Sequence, residues 1–123
     1  YHASNYNMQK NVVKVNGYQI TIKNPSLTKV IYFTGDTVLY SNLTKNIPQD
    51  IDVIFANLGA VKSGSFGGPF TMDLEMLKQM ESLLKPKNVY PLHIEDYSHY
   101  KTTRKEVEAE GYKVLVAGDS ISI

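Results

Sequence analysis

Apolar and polar residues alternate along Tyr18-Gln19-Ile20-Thr21-Ile22-Lys23, the two-residue period of a strand with one face towards solvent. Val12, Val13 and Val15 predict a strand before it, joined to it by Asn16-Gly17, a strong hairpin signal. After a turn at Asn24-Pro25-Ser26-Leu27-Thr28 the pattern changes. Lys29 to Thr34 contains Val30-Ile31-Tyr32-Phe33, apolar on both faces, so this strand is expected in the middle of a sheet covered on both sides. It stops abruptly at Gly35-Asp36-Thr37. Val38 to Asp50 is mixed and predicts a short helix or turn. Asp52-Val53-Ile54-Phe55-Ala56 predicts a fourth, buried strand, and a Gly-rich loop runs from Gly59 to Phe70.

The period then lengthens. Met72, Met76, Leu77, Met80, Leu83 and Leu84 recur at helical spacing, with Thr71 as the expected cap, Asp73 in the first turn and Lys85-Pro86 as the stop. Val89-Tyr90-Pro91-Leu92 is a short strand ending at His93. Thr103 and Glu106 make a capping box for a second helix, closed by Gly111. Val114-Leu115-Val116 and Ile121-Ser122-Ile123, around Gly118-Asp119, predict a last hairpin. A meander followed by alternating strands and helices gives an α/β class with a mixed sheet.

Composition narrows the function classes. The chain has 123 residues, the size of one domain, with 42% hydrophobic and 20% charged residues, enough for a packed core. The net charge is +1 and dispersed, which does not fit a nucleic-acid footprint. The absence of cysteine excludes a disulfide scaffold, a thiolate metal site and a cysteine nucleophile, and is consistent with the cytoplasm. No apolar run approaches the roughly 18 residues of a membrane span. Tyr1-His2-Ala3 reads as a cut through a longer protein.

Asp36 and His93 both fall just past the C-terminal end of a strand, the edge where layered α/β folds place ligands. The letters alone favour a turn for Asp36, because Gly118-Asp119-Ser120 is nearly the same and reads as ordinary hairpin chemistry. The histidines, His2, His93 and His99, change that balance. A carboxylate with two neutral imidazoles suits Zn²⁺, Mn²⁺ or Fe. His99 either reaches the same pocket or faces solvent. The Gly59–Phe70 loop lacks the Gly-Lys-Ser/Thr ending of a phosphate loop, and its Phe66 and Phe70 favour a pocket wall or an interface. The methionine stripe reads as a helix face packed on the sheet. No Gly-x-Ser-x-Gly elbow supports a serine hydrolase.

One ordered set of segments goes further: Thr34-Gly35-Asp36-Thr37 after an apolar strand, Ile51 to Gly59, Thr71-Met72-Asp73, and Tyr90-Pro91-Leu92-His93 through Tyr100. Across essentially the whole chain this set resembles the metallo-β-lactamase superfamily, in the branch with L-ascorbate-6-phosphate lactonase-like hydrolases. The resemblance implies the C-terminal half of a four-layer αβ/βα sandwich, with residues 1–123 a single partial domain. It implies a metal-dependent hydrolase with two divalent ions, Zn²⁺ or else Mn²⁺ or Fe, sharing a hydroxide that attacks a small-molecule lactone or phosphate ester. By motif, Asp36 matches the aspartate that bridges both metals, and His2 and His93 match histidine ligands. Thr34 and Thr37 would brace the aspartate, and His99, Phe66 and Phe70 would border the substrate.

The family's His-x-His-x-Asp-His cluster is absent here. The chain alone is therefore expected to be inactive and to bind metal weakly. Its partner is expected to be the N-terminal half of the same fold or a second copy. The alternative is a non-catalytic α/β module that pairs with a partner through an exposed sheet face.

Overall fold

Residues 14–47, 49–63 and 67–123 are described by the computed structural model. The elements run β1 (Tyr18–Asn24), β2 (Leu27–Phe33), β3 (Val53–Asn57), β4 (Lys62–Ser63), β5 (Gly67–Pro69), α1 (Leu74–Leu84), β6 (Asn88–Leu92) and α2 (Arg104–Ala109). β1 and β2 pair antiparallel across Pro25-Ser26, where Asn24 Oδ1 accepts from the Ser26 backbone N–H at 3.0 Å. β2 pairs parallel with β3, and β3 parallel with β6, giving a mixed sheet of order β1-β2-β3-β6. β4 and β5 form a separate short ribbon within the Gly59–Phe70 segment. No helix among the described residues is long and apolar enough to cross a membrane.

The helices cover one face of the sheet. Tyr32, Ile54 and Ala56 point to that face and share a buried cluster with Met72, Leu77, Met80 and Leu84 around α1 and with Val107 of α2. Each such leucine or methionine contributes about 1.5–3 kcal/mol on burial, so the stripe is a packing face except at Leu83, which is 62% exposed. Asp73 rather than Thr71 caps α1, its Oδ1 accepting from the Met76 N–H at 2.9 Å. Thr71 is buried and otherwise employed, since its Oγ1 accepts from the Val61 N–H at 3.1 Å and fastens the ribbon to the helix entry. α2 carries the expected Thr103–Glu106 capping box.

The opposite face is less covered than the doubly apolar β2 pattern suggests. Phe33, Phe55 and Tyr90 are cross-strand partners whose rings stack at 4.7 and 5.7 Å, all half-buried and outside the buried cluster. Tyr18 and Ile20 of the edge strand β1 continue this ladder at 63% and 47% exposure. The apolar residues of β2 serve two faces, but among the described residues only one packs against helices.

Neither predicted hairpin forms among the described residues. Lys14 to Gly17 is not strand, and Val12 and Val13 lie outside the described residues. Gly17 instead lets the chain pass close over β2, where an added Cβ would meet the Tyr32 ring and lie 3.0 Å from the Phe33 carbonyl oxygen. The segment after Gly111 contains no strand. Val114 leans on the core while Val116 and Ile123 remain exposed, so pairing them would bury little. The Gly118-Asp119 turn persists, with Asp119 Oδ2 accepting from the Val116 N–H at 3.0 Å.

At the N-terminal edge of the parallel strands sits Asp52, 4% exposed. Its carboxylate accepts from Lys87 Nζ at 2.7 Å and the Val30 N–H at 2.8 Å, with Lys29 Nζ at 3.5 Å. Its backbone N–H donates to Val30 and its carbonyl accepts from Asn88. One residue thus ties the starts of β3 and β6 to β2.

Candidate functional site

Because β2, β3 and β6 are parallel, their C-terminal ends share one edge of the sheet. Asp36 lies three residues past β2, Asn57 ends β3, and His93 immediately follows β6. Asn57 Nδ2 donates to Asp36 Oδ1 at 2.7 Å, and His93 Nε2 stands 3.6 Å from the same oxygen.

The exit from β2 is locked by Thr34, which is 1% exposed. Its N–H donates to the Phe55 carbonyl at 3.0 Å, and its Oγ1 accepts from the Asn57 N–H at 3.0 Å while donating to the Gly35 carbonyl at 2.9 Å. Thr34 thus fixes both the Asp36 turn and the backbone of Asn57. Thr37 is also buried and donates to the Val38 carbonyl at 3.2 Å. Gly35 turns the chain at φ 63°, a left-handed conformation, and a Cβ there would lie 2.6 Å from the Asn16 carbonyl oxygen.

His93 leaves β6 at φ 60°, a region that costs a non-glycine residue about 1–2 kcal/mol. Such backbone recurs where side-chain placement matters. Asp96 Oδ2 lies 2.8 Å from His93 Nδ1. A carboxylate can only accept, so the hydrogen-bond network puts the proton on Nδ1 and leaves a lone pair on Nε2. The Tyr100 hydroxyl donates to that lone pair. Burial, followed by the charges of Asp36 and Asp96, pushes the Tyr100 phenol above its ordinary pKa. The Tyr100 ring stands edge-on to His93 at 4.9 Å. Gly59 lies beside it: an added Cβ there would come within 3.4 Å of Tyr100 Cε1.

Two acceptor atoms, Asp36 Oδ1 and His93 Nε2, therefore converge at 3.6 Å. In tetrahedral zinc sites, bond lengths near 2.0–2.2 Å place neighbouring donor atoms roughly 3.4 Å apart. The pair fits a shared divalent cation, and Asp96 on the far nitrogen is the partner that orients metal-ligating histidines. Among the described residues no group of three His, Asp or Glu side chains is arranged to hold a metal ion, so those residues present two donors.

Of the other residues singled out in the sequence, His99 is exposed and stacks on Tyr97 at 5.5 Å. Phe70 follows β5, its N–H donating to the Val61 carbonyl at 2.7 Å. His2 and Phe66 lie outside the described residues. Asn57, Asp96 and Tyr100 were not legible as site residues. Asp96 and Tyr100 follow His93 by three and seven positions in one loop, and Asn57 ends the strand between the two candidates, so strand order was the missing signal.

No protein-family model matches the chain. Among solved structures, an isothiocyanate hydrolase from Delia radicum gut bacteria is similar at TM-score 0.65 and 22% identity, over 77% of this chain and 40% of that one. A possible metal-dependent hydrolase from Veillonella parvula DSM 2008 is similar at TM-score 0.65 and 20% identity, over 85% of this chain and 43% of that one. The chain thus shares a mixed-sheet α/β fold with these two proteins and spans about two-fifths of the length of each.

Proposed function

We propose that the intact protein is a metal-dependent hydrolase in which Asp36 and His93 are metal ligands. The observation that carries this reading is the approach of Asp36 Oδ1 and His93 Nε2 to 3.6 Å, with Asp96 holding the far side of the imidazole. Among the similar solved structures one is an isothiocyanate hydrolase and another a possible metal-dependent hydrolase, which supports the same direction. Asp36 and His93, with His2 as a further ligand, would hold two divalent ions, Zn²⁺ or else Mn²⁺ or Fe. When bound, such ions lower the pKa of a coordinated water enough for it to attack at neutral pH. The chain's own residues do the positioning. Asn57 and Thr34 fix the Asp36 carboxylate, Asp96 fixes the tautomer of His93, and the His93–Tyr100 loop borders the substrate. The proposed substrate is a lactone or a phosphate ester, and the cysteine-free composition fits the cytoplasm.

Metal analysis of the intact protein tests this. Bound divalent metal is expected in the wild type and its loss in Asp36→Ala; unchanged metal content in the variant sinks the assignment. The 123-residue chain alone is expected to show no turnover.

The half-buried ring ladder of Phe33, Phe55 and Tyr90 favours a second reading, a module that pairs through that face with the rest of its fold or with a second copy. An upstream His-x-His-x-Asp-His segment decides for the enzyme. Its absence, together with a metal-free oligomer in light scattering, decides for the module.

A further inference from the structure

We infer that Tyr100 is a positioning residue that caps the Nε2 lone pair of His93 in the metal-free protein, releases it to the cation, and then donates its hydroxyl to an anionic oxygen bound beside that cation. The inference rests on the reading of Asp36 and His93 as metal ligands and adds a role that this reading does not require.

The argument is one of donors and acceptors. An imidazole protonated on Nδ1 has one in-plane lone pair, on Nε2. Asp96 holds Nδ1, so that lone pair is the ring's single open valence, and the Tyr100 hydroxyl is on it. A hydrogen bond and a metal cannot share one lone pair. Metal entry therefore breaks the Tyr100–His93 bond and leaves a phenol hydroxyl in need of a new acceptor.

The ring has little room to leave. It stands edge-on to His93, Tyr97 and His99 at 4.9, 5.4 and 5.0 Å. Its backbone N–H donates to the Tyr97 carbonyl at 3.0 Å, and the next N–H, of Lys101, donates to the Gly59 carbonyl at 3.0 Å. The released hydroxyl therefore stays beside His93, where a rotation about its C–O bond redirects the proton. Asp36 is engaged with Asn57 and, in the loaded site, with the cation. An acceptor that loading would bring within reach is the ligand's own oxygen, and an anion such as phosphate is the chemical class that fits beside a divalent cation.

The test is a pair of titrations on the intact, metal-stripped protein, comparing wild type, Tyr100→Phe and Asp36→Ala. With Zn²⁺ in competition with a chromophoric chelator, Tyr100→Phe is expected to bind about three- to tenfold more tightly, because a competing hydrogen bond has been removed. With inorganic phosphate added to the zinc-loaded protein, the same variant is expected to bind about three- to tenfold more weakly. Zinc affinity that is unchanged or lower in Tyr100→Phe overturns the inference, as does phosphate affinity that is unchanged. If Asp36→Ala retains wild-type zinc affinity, the underlying metal assignment fails instead, so the two failures are distinguishable. The phenylalanine ring preserves the edge-on packing. Independently of any variant, histidine ¹⁵N spectra of the metal-free wild type are expected to show His93 protonated on Nδ1 alone; a proton on Nε2 overturns the proposal.

Discussion

Asp52 and Asp36 stand at opposite edges of the same three parallel strands, and the two carboxylates have different described surroundings. Asp52 is 4% exposed and neutralised, with Lys87 at 2.7 Å, the Val30 N–H at 2.8 Å and Lys29 at 3.5 Å. The Lys87 hydrogen bond first, then the Val30 N–H, holds its carboxyl down at about 2. Asp36 has a side chain one-third exposed, steadied by the neutral amide of Asn57 and facing the Nε2 atom of His93. A carboxylate met by two lysines stitches strands together. A carboxylate held by an amide beside an imidazole is the arrangement proposed above for a metal ligand. The comparison sets a structural aspartate beside a proposed ligand and separates them by the charge of their described side-chain partners, not by burial alone.

Crossing the two substitutions is the strongest way to break that contrast. Asp36→Asn is expected to lower the zinc affinity of the intact protein by more than about 100-fold, since even partners one step removed from a metal cost 10–100-fold. It should leave the thermal midpoint of the metal-free protein near wild type. Asp52→Asn is expected to do the reverse, lowering the midpoint while zinc affinity stays put. Loss of metal in Asp52→Asn, or unfolding in Asp36→Asn, would collapse the distinction.

A finer probe is the neutral partner. Asn57→Leu removes the donor to Asp36 Oδ1 while keeping a side chain of similar size. Zinc affinity is expected to fall about 10–100-fold by isothermal titration. A variant that binds zinc like wild type would mean that the amide does not orient the carboxylate. The backbone under Asp36 offers a third probe. Gly35→Ala forces a left-handed φ of 63° on a residue whose new Cβ lies 2.6 Å from the Asn16 carbonyl oxygen. Urea unfolding is expected to show a loss of about 1–2 kcal/mol.

These residues also mark where the sequence was readable. The alternation of β1, the stripe of α1 and the Thr103–Glu106 box depend on neighbours in the chain, and the elements formed where local chemistry said they would, although both faces of β1 are exposed and not one alone. Asp36 and His93 were legible as candidates because each follows an apolar run. Their meeting was not, because it depends on β2, β3 and β6 lying side by side and parallel. Asn57 and Asp52 illustrate the limit at either end of one strand. Each looks like an ordinary polar residue flanking Val53-Ile54-Phe55-Ala56, and only strand order shows that one meets Asp36 and the other two lysines. The absent hairpin after Gly111 failed for a similar reason: its apolar letters were right, but no neighbouring strand took them.

The smallest expected effect concerns acid. Asp52 has its carboxyl lowered from the ordinary 3.8 to about 2 in the folded protein. Between those values the unfolded chain binds the extra proton, so stability falls as pH falls. The contribution is fully present above about pH 4, and is lost progressively as pH drops through about 2, where the folded carboxyl is also protonated. Denaturant midpoints measured from pH 6 down to pH 2 should therefore decline in the wild type over this window, and decline less in Asp52→Asn, where no carboxyl remains to titrate. Equal slopes in the two proteins would show that the lysines do not hold this carboxylate more tightly in the folded state than water does in the unfolded one. Asp52 would then lose its claim to be the structural member of the pair.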